Sequence, residues 1–145
     1  MIREIRSDEL KPLLALYGQL HGEAFADEDP RQVEVWQRIL DDRSQHIIVA
    51  EVDGRMVASC VLIVMPNLTH GMRPYALIEN VVTDKEYRRQ GWATRCLDFA
   101  KEIATGENCY KIMLMTGSKE AGTLGFYEQA GYSRNDKTAF IQWLR

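Results

Sequence analysis

Apolar and charged positions alternate from Ile2 to Arg6, as in a half-buried strand. Ser7 stands where an N-cap would stand. Leu10, Leu13, Leu14, Tyr17 and Leu20 then follow at the spacing of one helical face. Gly22 to Asp29 is a polar, acidic break. Asp29-Pro30-Arg31-Gln32 opens a second helix, because aspartate caps, proline fits the first turn and glutamine sits where a capping box closes. Val33, Trp36, Ile39 and Leu40 make its apolar face. His46 to Val52 reads as a strand, Asp53-Gly54 as a hairpin turn and Arg55 to Met65 as the returning strand. Pro66 to Arg73 is a loop, and Tyr75 to Thr83 another strand. Asp84 to Gln90 is a charged connection into a helix that Gly91 opens and that runs to about Thr105, with Leu97, Ala100, Ile103 and Ala104 as its buried stripe. Tyr110 to Thr116 reads as a buried strand. A short helix around Thr123 to Gln129 stops at Gly131, and Tyr132 to Trp143 holds one or two final strands. The order β-α-α-β-β-β-α-β-α-β predicts an α/β or α+β architecture with a central mixed sheet.

Composition narrows the function classes. A chain of 145 residues has room for one domain, 1–145, with a core that needs neither disulfide nor metal. Eighteen Lys and Arg against 21 Asp and Glu leave a net charge of -3, which argues against general affinity for nucleic acid or an anionic membrane. A local basic site stays open. The longest strongly apolar run, Cys60 to Met65, is far short of the ~20 residues of a membrane helix. The first residues lack the features of a signal peptide. The three cysteines, Cys60, Cys96 and Cys109, have no C-x-x-C spacing and lie apart from the histidines, so no metal site is expected. This usage suits a reducing, cytoplasmic setting.

Chemistry concentrates at Arg88-Arg89-Gln90-Gly91-Trp92-Ala93, between a strand and a helix. Free backbone N–H groups at a helix N-terminus, with the helix dipole behind them, suit a pyrophosphate. Gly91 lets the backbone approach without a Cβ, Ala93 is small, and the two arginines add charge. A basic loop ending on a helix-starting glycine has the same sequence. The turn is neither a Walker A loop nor a Rossmann G-x-G-x-x-G.

The hexapeptide fits the Arg/Gln-x-x-Gly-x-Gly/Ala signature of the GNAT N-acetyltransferase superfamily. Ile78-Glu79-Asn80-Val81-Val82-Thr83 looks like that family's strand before the turn. Gly125-Phe126-Tyr127-Glu128-Gln129-Ala130-Gly131-Tyr132 resembles its Phe-Tyr-Glu-x-x-Gly-Phe segment. The motifs fall in the family's order, and the resemblance covers nearly the whole chain. Ile78-Glu79 and Cys109-Tyr110-Lys111-Ile112 are similar to the small-amine branch that includes glucosamine-6-phosphate N-acetyltransferases.

The resemblance implies a mixed, mostly antiparallel sheet flanked by helices, and acetyl-CoA as the acetyl donor. It places Arg88, Arg89, Gln90, Gly91, Trp92 and Ala93 at the CoA pyrophosphate, with Thr94 on the first helical turn. Val81, Val82 and Thr83 would pair with the pantetheine arm. The strand would splay from the next one at a bulge, expected at Asn80-Val81, and a Val81 or Val82 amide would stabilise the developing oxyanion. Tyr127 matches the family's general acid, although Phe126, Tyr127 and Tyr132 could equally pack as core aromatics. Glu79 is the first candidate for the base, through a water. A carboxylate in that apolar run is costly to bury unless it has a partner or faces a wet cleft. Asp84 and Glu120 are lesser candidates. The chain departs from the family at Glu120, where asparagine is common, and at Trp92, where an aliphatic residue is usual.

The reading is an N-acetyltransferase acting on a small primary amine by direct attack, with a homodimer implied at family level. The alternatives are a non-catalytic acyl-CoA sensor and a protein lysine or N-terminal acetyltransferase. Glu23, Asp27, Glu28 and Asp29 in the acidic break would draw a cationic acceptor. Arg73 would instead suit a phosphate or carboxylate on the acceptor.

Overall fold

In the computed structural model the chain divides into two compact units, Met1–Leu114 and Met115–Arg145. The structure describes every residue except Glu23, Ala24, Ala26, Asp27 and Glu28, and only the backbone of His21. The first unit contains β1 (Ile2–Glu4), α1 (Leu10–His21), α2 (Pro30–Asp41), β2 (Gln45–Val52) and β3 (Arg55–Met65). It continues with a distorted turn α3 (Thr69–Met72), β4 (Tyr75–Thr83), a 3-10 turn (Lys85–Tyr87), α4 (Trp92–Gly106) and β5 (Ile112–Leu114). The sheet order is β1-β2-β3-β4-β5. The first three pairings are antiparallel and β4–β5 is parallel, which makes the sheet mixed and mostly antiparallel.

The strand alternation sorts the sheet into two faces. Cross-strand partners Ile47 and Val61 bury with Val49 against Leu13 of α1 and Trp36 of α2. The positions between them, Ile48, Cys60 and Leu62, are fully buried, and α4 contributes buried Cys96, Leu97, Ala100 and Ala104. Cys60 and Cys96 lie within electrostatic reach of each other. Each fully buried Leu or Ile contributes roughly 1.5–3 kcal/mol relative to an exposed one.

Local chemistry explains most element ends. Asp29 caps α2 by accepting from the Arg31 N–H at 3.0 Å. Asp53 and Gly54, with φ of 49° and 77°, form the hairpin turn in the left-handed region that type I′ requires. The cap expected at Ser7 is not there. The helix starts at Leu10 with Glu9 in the cap position. The Glu9 carboxylate instead takes two bonds from the Arg3 guanidinium, at 2.6 and 2.9 Å, and one from the Arg6 N–H at 2.8 Å. The Ser7 carbonyl accepts the Trp36 indole N–H at 2.9 Å and so ties α2 to the start of α1.

Two further expectations give way. The strand expected over Tyr110 to Thr116 is only Ile112–Leu114 and is half-buried, because its ladder with β4 ends at Ile78 and Leu114. The second unit holds α5 (Ala121–Gln129), and among its described residues there is no strand. The final strands expected in Tyr132 to Trp143 are therefore absent. An apolar run becomes a strand only where another strand offers a ladder. Here Phe140, Ile141, Trp143 and Leu144 remain exposed.

Candidate active site

β4 changes partners along its length. Ala76, Leu77 and Ile78 pair with Ile112, Met113 and Leu114 of β5, and beyond Ile78 that ladder stops. On its other edge β4 continues against β3 through Thr83, with one irregularity. Val61 pairs with Glu79 and Ser59 with Val82, so Asn80 and Val81 together face Cys60. This is the bulge expected at Asn80-Val81, with Asn80 at φ 52°.

The bulge reverses the phase of the backbone. Ala76 donates its N–H to the Lys111 carbonyl, on the β5 side, at 3.0 Å. Asp84 donates to the Val57 carbonyl, on the β3 side, at 2.8 Å. In a regular strand two even-numbered residues would donate to the same edge. Counting back from Asp84 by the period of two, the N–H groups of Thr83 and Val81 face the edge that β5 has left. Glu79 pairs with Val61 and so stands on the α1/α2 face. It is exposed, and no ion pair to it occurs among the described residues.

Past β4 the chain enters a braced turn. Asp84, 4% exposed, accepts from the Glu86 N–H at 2.9 Å and from Arg55 at 2.7 Å, and these bonds hold its carboxyl below the ordinary range. The Arg55 guanidinium also lies over the Tyr87 ring, and Gln19 of α1 accepts from the Lys85 N–H at 2.9 Å. Asp84 thus anchors the turn. Arg89 and Gly91 both adopt left-handed backbone, with φ of 62° and 84°. α4 begins at Trp92 with no side-chain cap, and its first intrahelical bond is from the Arg95 N–H to the Gly91 carbonyl at 3.1 Å. The N–H groups of the first helical turn are left free of helix partners. A Cβ on Gly91 would meet nothing within 4 Å, so the concavity is open.

The side chains at the turn divide in role. Arg88 donates to the Thr83 carbonyl at 3.3 Å and Gln90 to the Glu86 carbonyl at 3.4 Å, which brace the loop. Arg89 is exposed and has no bonded partner among the described residues. Trp92, Ala93 and Thr94 are half-buried. The Arg95 guanidinium lies 4.7 Å from the centre of the Trp92 ring, and the buried indole Nε1 lacks a partner among the described residues.

In the second unit Tyr127 sits on α5, packed edge-on against Phe126 at 4.9 Å and Tyr132 at 6.4 Å between ring centres. All three rings are half-buried. Glu120 occupies the cap position of α5. Gly131 follows the helix at φ 101° and donates to the Glu128 carbonyl at 3.0 Å, the expected stop.

A family model described as Acetyltransferase (GNAT) family matches residues 6–132. The chain belongs to this family. It is an acetyltransferase, and its turn fits the pyrophosphate of acetyl-CoA, the family's donor. The free helix N–H groups, the open space at Gly91 and the exposed Arg89 supply what two adjoining phosphates need. Among relatives of this acetyltransferase, a glucosamine 6-phosphate N-acetyltransferase of Trypanosoma brucei brucei is 30% identical over 141 residues, 94% of this chain and 90% of that one. One of the same description from Arabidopsis thaliana is 26% identical over 129 residues, 88% of this chain and 85% of that one. A solved structure from Agrobacterium tumefaciens, assigned as an acetyltransferase, superposes with a TM-score of 0.90 at 34% identity over 99% of each chain.

Other expectations fare differently. Arg73 spends Nε and Nη2 on the carbonyls of Asn108 and Cys109, at 3.1 and 3.0 Å, and so ties the β3–β4 loop to the approach of β5. Glu23, Asp27 and Glu28 lie outside the described residues. No helix among the described residues is long and apolar enough to cross a membrane. The bracing of Asp84 by Arg55, and of the Lys85 N–H by Gln19, was missed by sequence reasoning.

Proposed function

We propose that this acetyltransferase acetylates the primary amine of a small molecule by direct attack on the thioester of acetyl-CoA. The observation that carries the reading is the edge of β4 from Glu79 to Thr83, which β5 leaves uncovered and which leads to the open left-handed turn at Gly91. Val81, Val82 and Thr83 would take the pantetheine arm as an added strand. The backbone from Arg88 to Thr94 would hold the pyrophosphate, with Arg89 as the free cation. The donor brings an activated acetyl group. Strand alternation supports Val81 over Val82 as the amide that stabilises negative charge on the carbonyl oxygen.

An alkylamine with a lysine-like pKa is neutral in about one molecule in 10³ at pH 7, so a base is needed. Glu79 serves this role through a water, since it is exposed, free of ion pairs and on the α1/α2 face. Tyr127 donates a proton to the departing thiolate. The relatives' substrate makes an amino sugar phosphate the first acceptor to try. The acidic segment at Glu23, Asp27 and Glu28 keeps a cationic amine on the panel. A second copy of the chain covers the exposed apolar residues Phe140, Ile141, Trp143 and Leu144, a homodimer that light scattering checks.

The deciding experiment is thiol release from acetyl-CoA with glucosamine 6-phosphate, glucosamine, a polyamine and a lysine peptide. Turnover with a small amine supports the reading. Turnover confined to the peptide, or binding of acetyl-CoA with no turnover, rejects it.

A further inference from the structure

A short link, Asp84 to Tyr87, joins the uncovered edge of β4 to the left-handed turn at Gly91. A donor that lay along the edge and put its pyrophosphate at the turn would span this link. The shape of the link therefore sets whether the two halves of the donor site stand in line.

The link is held from β3. Arg55 is the first residue of that strand and pairs with Val52 across the Asp53-Gly54 turn. Two residues on, the Val57 carbonyl accepts the Asp84 N–H at 2.8 Å, and beyond it Ala58 and Ser59 pair with Thr83 and Val82. The strand that supports the uncovered edge thus also reaches past its end. The Arg55 guanidinium gives Nη2 to Asp84 Oδ2 at 2.7 Å and Nη1 to Glu86 Oε2 at 3.3 Å, and it lies 5.4 Å from the centre of the Tyr87 ring. One side chain from another element so engages three of the four residues of the link. The other Asp84 oxygen accepts the Glu86 N–H at 2.9 Å. A local cap of that kind needs no distant cation, since Asp29 makes one at the start of α2 with Arg31 two residues on. Asp84 differs because it is buried. A buried carboxylate that loses its cation draws in water or takes up a proton, and either change would loosen its hold on the Glu86 N–H.

We propose that Arg55 is a positioning residue for the donor: through Asp84, Glu86 and Tyr87 it fixes the link so that the Gly91 turn stands in line with the uncovered edge of β4. The inference rests on the proposed function and deepens it. The guanidinium is engaged by the link, so Arg55 acts through those residues.

The test compares Arg55→Met and Arg55→Lys with wild type on the full chain. Three readouts are taken: hydrogen exchange of the Glu86 amide without donor, the calorimetric Kd for acetyl-CoA, and kcat/KM with acetyl-CoA and with acetyl-pantetheine as alternative donors. Acetyl-pantetheine lacks the pyrophosphate, so it is blind to the turn, whereas a general loss of structure would affect both thioesters alike. In Arg55→Met the Glu86 amide should exchange faster and the Kd for acetyl-CoA should rise about 10- to 100-fold, as re-ordering one or two backbone residues on binding predicts. Its kcat/KM with acetyl-pantetheine should stay within about twofold of wild type. Arg55→Lys keeps a cation beside Asp84 but loses the fork to Glu86, so its Kd should rise about three- to tenfold with the same selectivity between donors. It carries the test if the methionine variant does not fold. An unchanged Kd, or equal losses with the two thioesters, overturns the proposal. If the wild-type chain bound acetyl-CoA yet turned over no amine, the proposed function would fall, and the Kd and exchange comparison would still decide the role of Arg55.

Discussion

Replacing Gly91 with alanine separates two costs that have different physical origins. At φ 84° an L-residue is strained, but the new Cβ would touch nothing within 4 Å. The loss in the donor-free protein is therefore backbone strain alone, roughly 1–2 kcal/mol. For a chain of this size that lowers Tm by about 3–10 °C. Gly54 offers a matched control, since its φ is 77° and its Cβ would also meet open space, yet it lies in the β2–β3 hairpin turn. Gly54→Ala should cost a similar Tm and leave acetyl-CoA affinity alone. Gly91→Ala carries the second cost, because its methyl group projects into the space where the pyrophosphate would lie. Backing the phosphates off by a methyl radius loses at least one charge-assisted hydrogen bond, worth roughly 1.5–3 kcal/mol. At 1.4 kcal/mol per decade, Kd should rise about 10- to 150-fold. Calorimetric titration with acetyl-CoA, beside thermal melts of both variants, reads the two costs separately. Equal Tm losses with equal, unchanged affinities would show that the turn does not cradle the phosphates.

Three other outcomes are expected. Tyr127→Phe should keep acetyl-CoA affinity and lower kcat by ~10²–10⁴-fold, measured as thiol release, and a wild-type rate would return Tyr127 to its aromatic cluster. Glu79→Gln should lower kcat and flatten the acidic limb of the pH–rate profile; an unaltered limb means another group titrates there. Arg3 holds the Glu9 carboxyl down to about 2 from an ordinary 4.5. A depressed carboxylate stabilises the fold above its unfolded pKa and loses that contribution as pH falls through the folded one. The Tm gap between wild type and Glu9→Gln should therefore be full above pH 4.5 and close as pH falls toward 2; a gap constant with pH would refute the assignment.

The readable parts of the sequence were those governed by near neighbours. Apolar runs bounded by turn and loop residues placed β3 and β4 residue for residue, Asp29-Pro30 placed the start of α2, and Asp53-Gly54 placed the hairpin turn. Gly91 marked the left-handed turn from which α4 starts. What failed depended on distant partners. Ser7 lost its capping role because Arg3 claims Glu9 from across the β1–α1 connection. The alternating, apolar end of the chain looked like a strand, but alternation cannot show whether a free edge exists to receive it. The partners of Asp84 were not legible either, because Arg55, distant in sequence, and the adjoining turn engage both its oxygens. The Asn80 bulge was expected only through family likeness.

The split in the sheet has a consequence for handling the protein. Between Glu79 and Thr83 the backbone presents an edge that no strand of the sheet covers, with the Thr83 carbonyl taken up by Arg88. Such an edge is a template on which another chain can add a strand, and it is a recognised route to aggregation. The exposed charge of Glu79, the kink at Asn80 and the Arg88 bond to Thr83 discourage that pairing. A ligand that lies along the edge as a strand would be the best guard of all, so the acetyltransferase should be most soluble and longest-lived in storage when its donor is present.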